Sequence, residues 1–200
     1  MRLSRRSDDS SARERILAAA EELFAESGFD ATPTSRIAAR AGVPKGLVHY
    51  YFQRKPDLLG ALVDRLPDES IELAAVVVPG DVAASLRRLV AELDARLRAS
   101  YLLSHLLWRE ADTHPAVREA LADRYDLLVG QIHAVIVAAG DGNLPTTDVA
   151  AAADLLALAV SYRHSVARHA DERADSGTMD REVAFVAGAL SGWPRAPLAR

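Results

Sequence analysis

The sequence predicts an all-α protein, and three observations carry that reading. Strong helix formers dominate: there are 38 Ala, and Leu, Arg and Glu are also abundant. Apolar residues recur at helical spacing over long stretches, with glycine and proline mostly between those stretches. Sustained period-two alternation and an Asn-Gly hairpin signal are both missing. The chain has 200 residues, half of them apolar and 26% charged. That is enough to bury a sizeable core in one domain, or in two small ones. The expected architecture is about nine helices, an N-terminal three-helix helix-turn-helix domain followed by a C-terminal helical bundle.

Taken in order, Met1 to Ser10 is polar and reads as a disordered arm. Ser11, Ala12, Arg13 and Glu14 form S-x-x-E, a capping box in which hydroxyl and carboxylate satisfy free backbone amides. Ile16, Ala20, Leu23 and Phe24 continue that helix to Gly28. Thr32 is a good N-cap for a short second helix with Pro33 at its first position and Ile37, Ala38 and Ala41 inside. Gly42 breaks it, and Pro44 opens a third helix running to about Phe52. A fourth begins at Pro56 and uses Leu58, Leu59, Leu62 and Val63. Further helices are expected over Asp68–Val78, Asp81–Ala99, Tyr101–Asp112, Pro115–Ala139, Val149–His169 and Thr178–Leu190. The division expected from this pattern is 1–55 for the helix-turn-helix and 56–200 for the bundle.

Composition narrows the function. Cysteine is absent, which removes disulfides, thiolate metal sites and a cysteine nucleophile. No apolar run approaches the ~18 residues that span a bilayer, and the arginines of MRLSRRSDDSS precede no apolar stretch. No membrane partner is expected, and the expected location is the cytoplasm. The motifs H-E-x-x-H, G-x-G-x-x-G and the P-loop do not occur, so neither an enzyme nor a metal or cofactor site is expected. Residues 1–60 carry ten basic and eight acidic side chains, and residues 61–200 carry fourteen and twenty. A mildly basic start on an acidic body is a weak pointer to nucleic acid at that end.

The informative stretch is Thr32 to Lys55, TPTSRIAARAGVPKGLVHYYFQRK. Two short helices crossing steeply need a small residue at contact, a turn free to take unusual dihedrals, and an apolar plug beneath it. Ala38, Gly42 and Val43 supply these. The second of the two helices can then enter the major groove while neighbouring segments touch phosphates. Val43, Val48 and Phe52 read as core, and Arg36, Arg40 and Arg54 as solvated charges.

This stretch resembles the DNA-binding domain of the TetR/AcrR family of transcriptional regulators. The residues that match are Gly28-Phe29, Thr32, Ile37-Ala38, Ala41-Gly42-Val43, Lys45-Gly46, Tyr51-Phe52, Lys55 and Leu58-Leu59. The resemblance implies a homodimeric repressor released from a palindromic operator by a small molecule. It places Lys45, Gly46, Leu47, His49, Tyr50 and Tyr51 on the recognition helix, Lys55 on a phosphate, and Thr34 and Ser35 beside the DNA backbone. Pro44, Leu47 and His49 depart from the residues usual there. The family binds its ligand inside the C-terminal bundle and pairs through the last two helices. Candidate ligand contacts are Tyr101, His105, Trp108, Arg109, Tyr125, Gln131, Tyr162 and His164, each of which also suits a core or dimer role. Trp108 is the first choice for a cavity wall. Candidate dimer contacts are Val160, His164, Val183, Val186 and Leu190. A helical small-molecule-binding or enzymatic protein whose helix-turn-helix is not the main activity is the alternative.

Overall fold

The computed structural model describes residues 2–67, 70–98, 100–140, 144–166 and 179–192; within these, the side chains of 2–10, 97, 98, 101, 164–166 and 192 are not described. The described residues are all-helical apart from turns and loops. The helices are α1 (Arg2–Ser27), α2 (Thr34–Ala41), α3 (Lys45–Tyr51), α4 (Pro56–Val63), α5 (Leu73–Val76), α6 (Val82–Arg98), α7 (Tyr101–Glu110), α8 (Pro115–Ala139), α9 (Thr146–Val166) and α10 (Asp180–Gly192).

Two differences from the sequence pattern have local causes. The Ser11–Glu14 pattern lies inside α1 rather than at its start. No glycine or proline precedes it to stop the helix, so the capping box has no free amides to satisfy. Of the helix expected over Asp68–Val78, residues 68 and 69 lie outside the described residues, and among the rest only the four residues of α5 are helical. Val76, Val77 and Val78 are β-branched, and Pro79 disfavours helical backbone in the residue before it. Val77 is already extended at φ −71° and ψ 128°.

Two compact units form. The first combines residues 1–66 with 102–121. Its core joins Ile16, Leu17, Leu23 and Phe24 of α1 to Ile37, Val48, Leu58, Leu59 and Leu62, and to Leu103, Leu106 and Leu107 of α7. The unit therefore extends past residue 55, because the apolar faces of α4 and α7 complete the core that α1 to α3 begin. The second unit combines residues 67–101 with 122–200. Its core is built from Leu86, Leu89 and Leu93 of α6, Ile132, Val135 and Ile136 of α8, and apolar residues of α9 and α10.

The end of α1 holds the first unit together. Gly28 takes φ 84°, a left-handed conformation that L side chains rarely adopt, and its N–H bonds the Phe24 carbonyl at 2.9 Å. Thr32 is fully buried and does not cap α2. Its hydroxyl lies 2.8 Å from the Gly28 carbonyl and 3.2 Å from the Leu23 carbonyl, back on α1. The residue flanking α2 is Pro33, which offers no side-chain cap. Thr32→Val keeps the shape and removes the hydroxyl. It should lower unfolding free energy by about 1–3 kcal/mol, read as a shifted urea midpoint at unchanged m. An unchanged midpoint would show that the lock contributes nothing.

Candidate nucleic-acid interface

The turn between α2 and α3 is three residues long. Gly42 sits at φ 65° and ψ 39°, and its N–H reaches the carbonyls of Ala38 and Ala39. The Val43 N–H bonds the Ala38 carbonyl at 3.0 Å, so the last turn of α2 is closed. Pro44 is extended and precedes α3 directly. Below the turn, Val48 is fully buried and Phe52 nearly so, with Val43 half-buried against the same core. These three are core, as the sequence pattern indicates.

The opposite side of α3 faces solvent. Lys45, Gly46, His49 and Tyr50 are exposed, Leu47 is half-buried, and Tyr50 keeps 72% of its surface. The Tyr50–Tyr51 pair divides its labour. Tyr51 packs against the core, and Tyr50 meets its ring edge-on at 5.1 Å between centroids. At the start of α2, Thr34 is half-buried and Ser35 exposed. The helix-turn-helix thus presents a cation, a glycine, an imidazole and a phenol side by side on one short helix.

The flanking arginines are not simply solvated. Arg36 donates to the Ser27 hydroxyl at 3.0 Å, Arg40 lies 2.8 Å from Glu22 and 3.5 Å from Glu26, and Arg54 pairs with Asp57 at 3.3 Å. The bonds to Glu22 and Glu26 push the Arg40 guanidinium above its ordinary value. Such exposed pairs add little stability, but they draw Arg36 and Arg40 back onto α1 and Arg54 onto the start of α4. Lys45 has no ion-pair or hydrogen-bond partner among the described residues, which leaves its charge available. Lys55 is half-buried ahead of α4. Its ammonium donates to the Asp30 carbonyl at 3.3 Å and lies 4.2 Å from the centre of the Phe29 ring.

The remaining candidates are distributed differently from the sequence expectation. Arg109 donates to the Phe24 carbonyl at 2.8 Å and pairs with Glu110 at 3.2 Å, tying α7 to the end of α1. Trp108 is 45% exposed, so it is a surface residue of α7 and not an enclosed wall. His105 is half-buried on the same helix. The side chains of Tyr101 and His164, and those of Arg2, Arg5 and Arg6, lie outside the described residues. In the second unit, the Tyr125 hydroxyl donates to the Asp154 carbonyl at 3.5 Å. Burial and the charges of Asp154 and Asp126 push its phenol up. Arg163 pairs with Asp94 of α6. Gln131 donates to the Ile71 carbonyl at 2.9 Å and lines a cleft of about 420 Å³ with Ile71, Leu73, Arg124, Leu127 and Leu128. That volume falls within the range of small-molecule sites.

Four of the five expected dimer contacts fall inside the second unit, and the side chain of the fifth, His164, is not among those described. Val160, Val183, Val186 and Leu190 are at most 8% exposed in the isolated chain, where they fill the core of the second unit. The outward apolar residues of α9 are Leu155, Leu158 and Tyr162, at 52%, 57% and 70% exposure, and on α10 the outward residue is Phe185 at 62%. Leu155, Leu158 and Tyr162 stand at helical spacing on one face, with exposed Ala151 a turn before them. The sequence pattern missed this face because α9 is apolar nearly all round, and periodicity cannot then say which side turns inward.

Comparison with known proteins fits this geometry. Residues 16–62 match the family model described as bacterial regulatory proteins, tetR family. The HTH-type transcriptional repressor BepR of Brucella suis is 38% identical over 65 residues, 32% of this chain and 31% of that protein. An HTH-type transcriptional repressor of Mycobacterium tuberculosis is 43% identical over 67 residues, 34% of this chain and 36% of that protein. The match therefore spans about a third of the length of these curated relatives. Among solved structures, GusR of Salmonella enterica has a TM-score of 0.63 at 25% identity, over 90% of this chain and 95% of that one. NalD of Pseudomonas aeruginosa has a TM-score of 0.67 at 18% identity, over 92% and 100%, which speaks to fold alone. Residues 16–62 thus match the helix-turn-helix of the tetR family of bacterial regulatory proteins, and the helical fold of the chain is similar to that of solved regulators such as GusR.

Proposed function

We propose that the protein is a homodimeric transcriptional repressor that leaves a palindromic operator when a small molecule binds its helical body. The observation that carries this reading is the solvent face of α3, where Lys45, Gly46, His49 and Tyr50 stand together on a helix held from below by Val48. A helix of this kind enters the major groove with its N-terminal residues at base edges, and Lys45 opens it. Thr34, Ser35 and Lys55 then face phosphates, and Leu47 offers an apolar contact of the kind a thymine methyl accepts. The repressor names carried by BepR and the Mycobacterium tuberculosis relative support repression as the direction of control. The protein acts where its DNA is, in the cytoplasm.

Two copies are needed because one seven-residue helix reads few base pairs. A twofold dimer sets two recognition helices about 34–36 Å apart, or a multiple of that, on a palindrome. The outward face of Leu155, Leu158, Tyr162 and Phe185 supplies the pairing surface: burying it against its own twofold copy removes large apolar groups from water. The effector reading rests on the cleft lined by Gln131, Leu127 and Leu73, which is mostly apolar with a few polar groups at its wall. An effector acts there only through its different affinity for the DNA-competent and DNA-incompetent states.

Lys45→Ala should change which base is preferred at one position of each half-site, at a cost of about 1–3 kcal/mol against the best operator, read by gel shift on a set of single-base operator variants. Uniform weakening across all variants would make Lys45 a phosphate contact instead. For the dimer, Phe185→Arg and Leu158→Arg should give folded monomers in sedimentation, while Val186→Arg should fail to fold because its charge enters the protomer core. Folded, dimeric Phe185→Arg and Leu158→Arg would place the interface elsewhere.

A further inference from the structure

We infer that Phe29 is a positioning residue for DNA binding: its ring seats the Lys55 ammonium, and the α7–α8 segment holds the ring in place. This inference rests on the DNA-binding reading above and assigns the seat of one phosphate contact within it. The geometry is a stack of three groups. The Lys55 ammonium lies 4.2 Å from the Phe29 ring centre. The same ring meets the His114 imidazole edge-on at 4.4 Å between centroids. The Phe24 ring adds a tilted contact at 5.1 Å. Phe29 is 6% exposed, so its ring has little freedom to move away.

The seat fixes direction as well as distance. A lysine carries a compact charge on a four-carbon stem with several rotatable bonds, and an unrestrained one loses much entropy when it docks on a phosphate. Here one ammonium proton is taken by the Asp30 carbonyl at 3.3 Å, and the ring face attracts the charge from below. An ammonium has three donors, so the others remain for an oxygen on the solvent side. The ammonium is thus held ahead of α4, close to where a phosphate is expected.

The ring is in turn held by a part of the chain remote in sequence. The Phe29 N–H points to the Glu110 carboxylate at 3.5 Å, and that carboxylate also bonds Arg109. Arg109 grips the Phe24 carbonyl, and His114 stands 3.8 Å from Glu110 through Nδ1. The polar side chains around the ring are therefore Lys55, Arg109, Glu110 and His114, the last three drawn from α7 and the turn after it. A TetR helix-turn-helix matched over residues 16–62 would not include them.

The test is a double-mutant cycle read through salt dependence on operator DNA. Lys55→Met keeps the stem and removes the charge, and should flatten the plot of log K against log salt by about one unit. Phe29→Leu should flatten it by a similar amount and weaken binding about two- to fivefold. In the Lys55→Met background Phe29→Leu should change neither affinity nor slope, and Phe29→Tyr, which keeps the ring, should retain the wild-type slope. Core damage from losing the ring would persist in the Lys55→Met background, which separates it from loss of the seat. Additive effects of the two changes, or a Phe29→Leu slope equal to wild type, would overturn the seat while leaving DNA binding intact. An unaltered slope for Lys55→Met would overturn it by removing the phosphate contact. Wild-type protein that binds no DNA would overturn the DNA-binding reading and the seat together.

Discussion

The first unit depends on how the backbone of α1 is brought to a stop in its interior. A helix end leaves carbonyls without partners, and a buried end with no partners is costly. Here the carbonyls of Leu23, Phe24 and Gly28 find partners from three directions. Gly28 turns left-handed and returns its own N–H to Phe24. The Thr32 hydroxyl covers the Leu23 and Gly28 carbonyls. Arg109 arrives from α7 to bond the Phe24 carbonyl. Once these are made, the chain leaving α1 has one direction, and α2 starts from a defined place.

Several features of the candidate interface follow from that constraint. With α2 placed, Gly42 and Val43 close its last turn, and α3 is fixed with Val48 inward and Lys45, His49 and Tyr50 outward. The turn that follows α1 carries Phe29, whose ring bears the Lys55 ammonium. The candidate interface is therefore positioned from the end of one helix and not by the helix-turn-helix residues alone. Apolar burial supplies most of the stability, at about 1.5–3 kcal/mol for a fully buried Leu or Phe. Surface pairs such as Arg54–Asp57 supply far less and mainly set where charge is available.

The second unit follows a different logic. Its core is filled by one side of α9 and α10, through Val160, Val183, Val186 and Leu190. The other side of the same two helices is apolar as well, through Leu155, Leu158, Tyr162 and Phe185. An isolated soluble chain gains nothing from such a face, whereas a self-complementary pair does. The cleft beside α8 combines apolar walls with Gln131 and Arg124.

Much of this was legible in the order of residues. Helical periodicity, the glycine and proline punctuation and the spaced matches from Gly28 to Leu59 determined the all-α class, the helix-turn-helix and its solvent-facing candidates. These are local properties, set by the backbone demands of glycine and proline and by which residues fall on one helix face. Which face of a largely apolar helix turns inward is not local, and so Val186, expected at a partner's surface, is buried in its own unit while Phe185 faces outward. Nor is the choice of a long-range partner. Thr32 has the side chain of a cap, but the carbonyls it meets belong to α1. Arg109 has the look of a ligand contact, but folding brings it to the Phe24 carbonyl, 85 residues away in sequence. A polar side chain advertises only that it will bond; which group it meets is decided by the packing of distant helices, and that exists only in the tertiary structure.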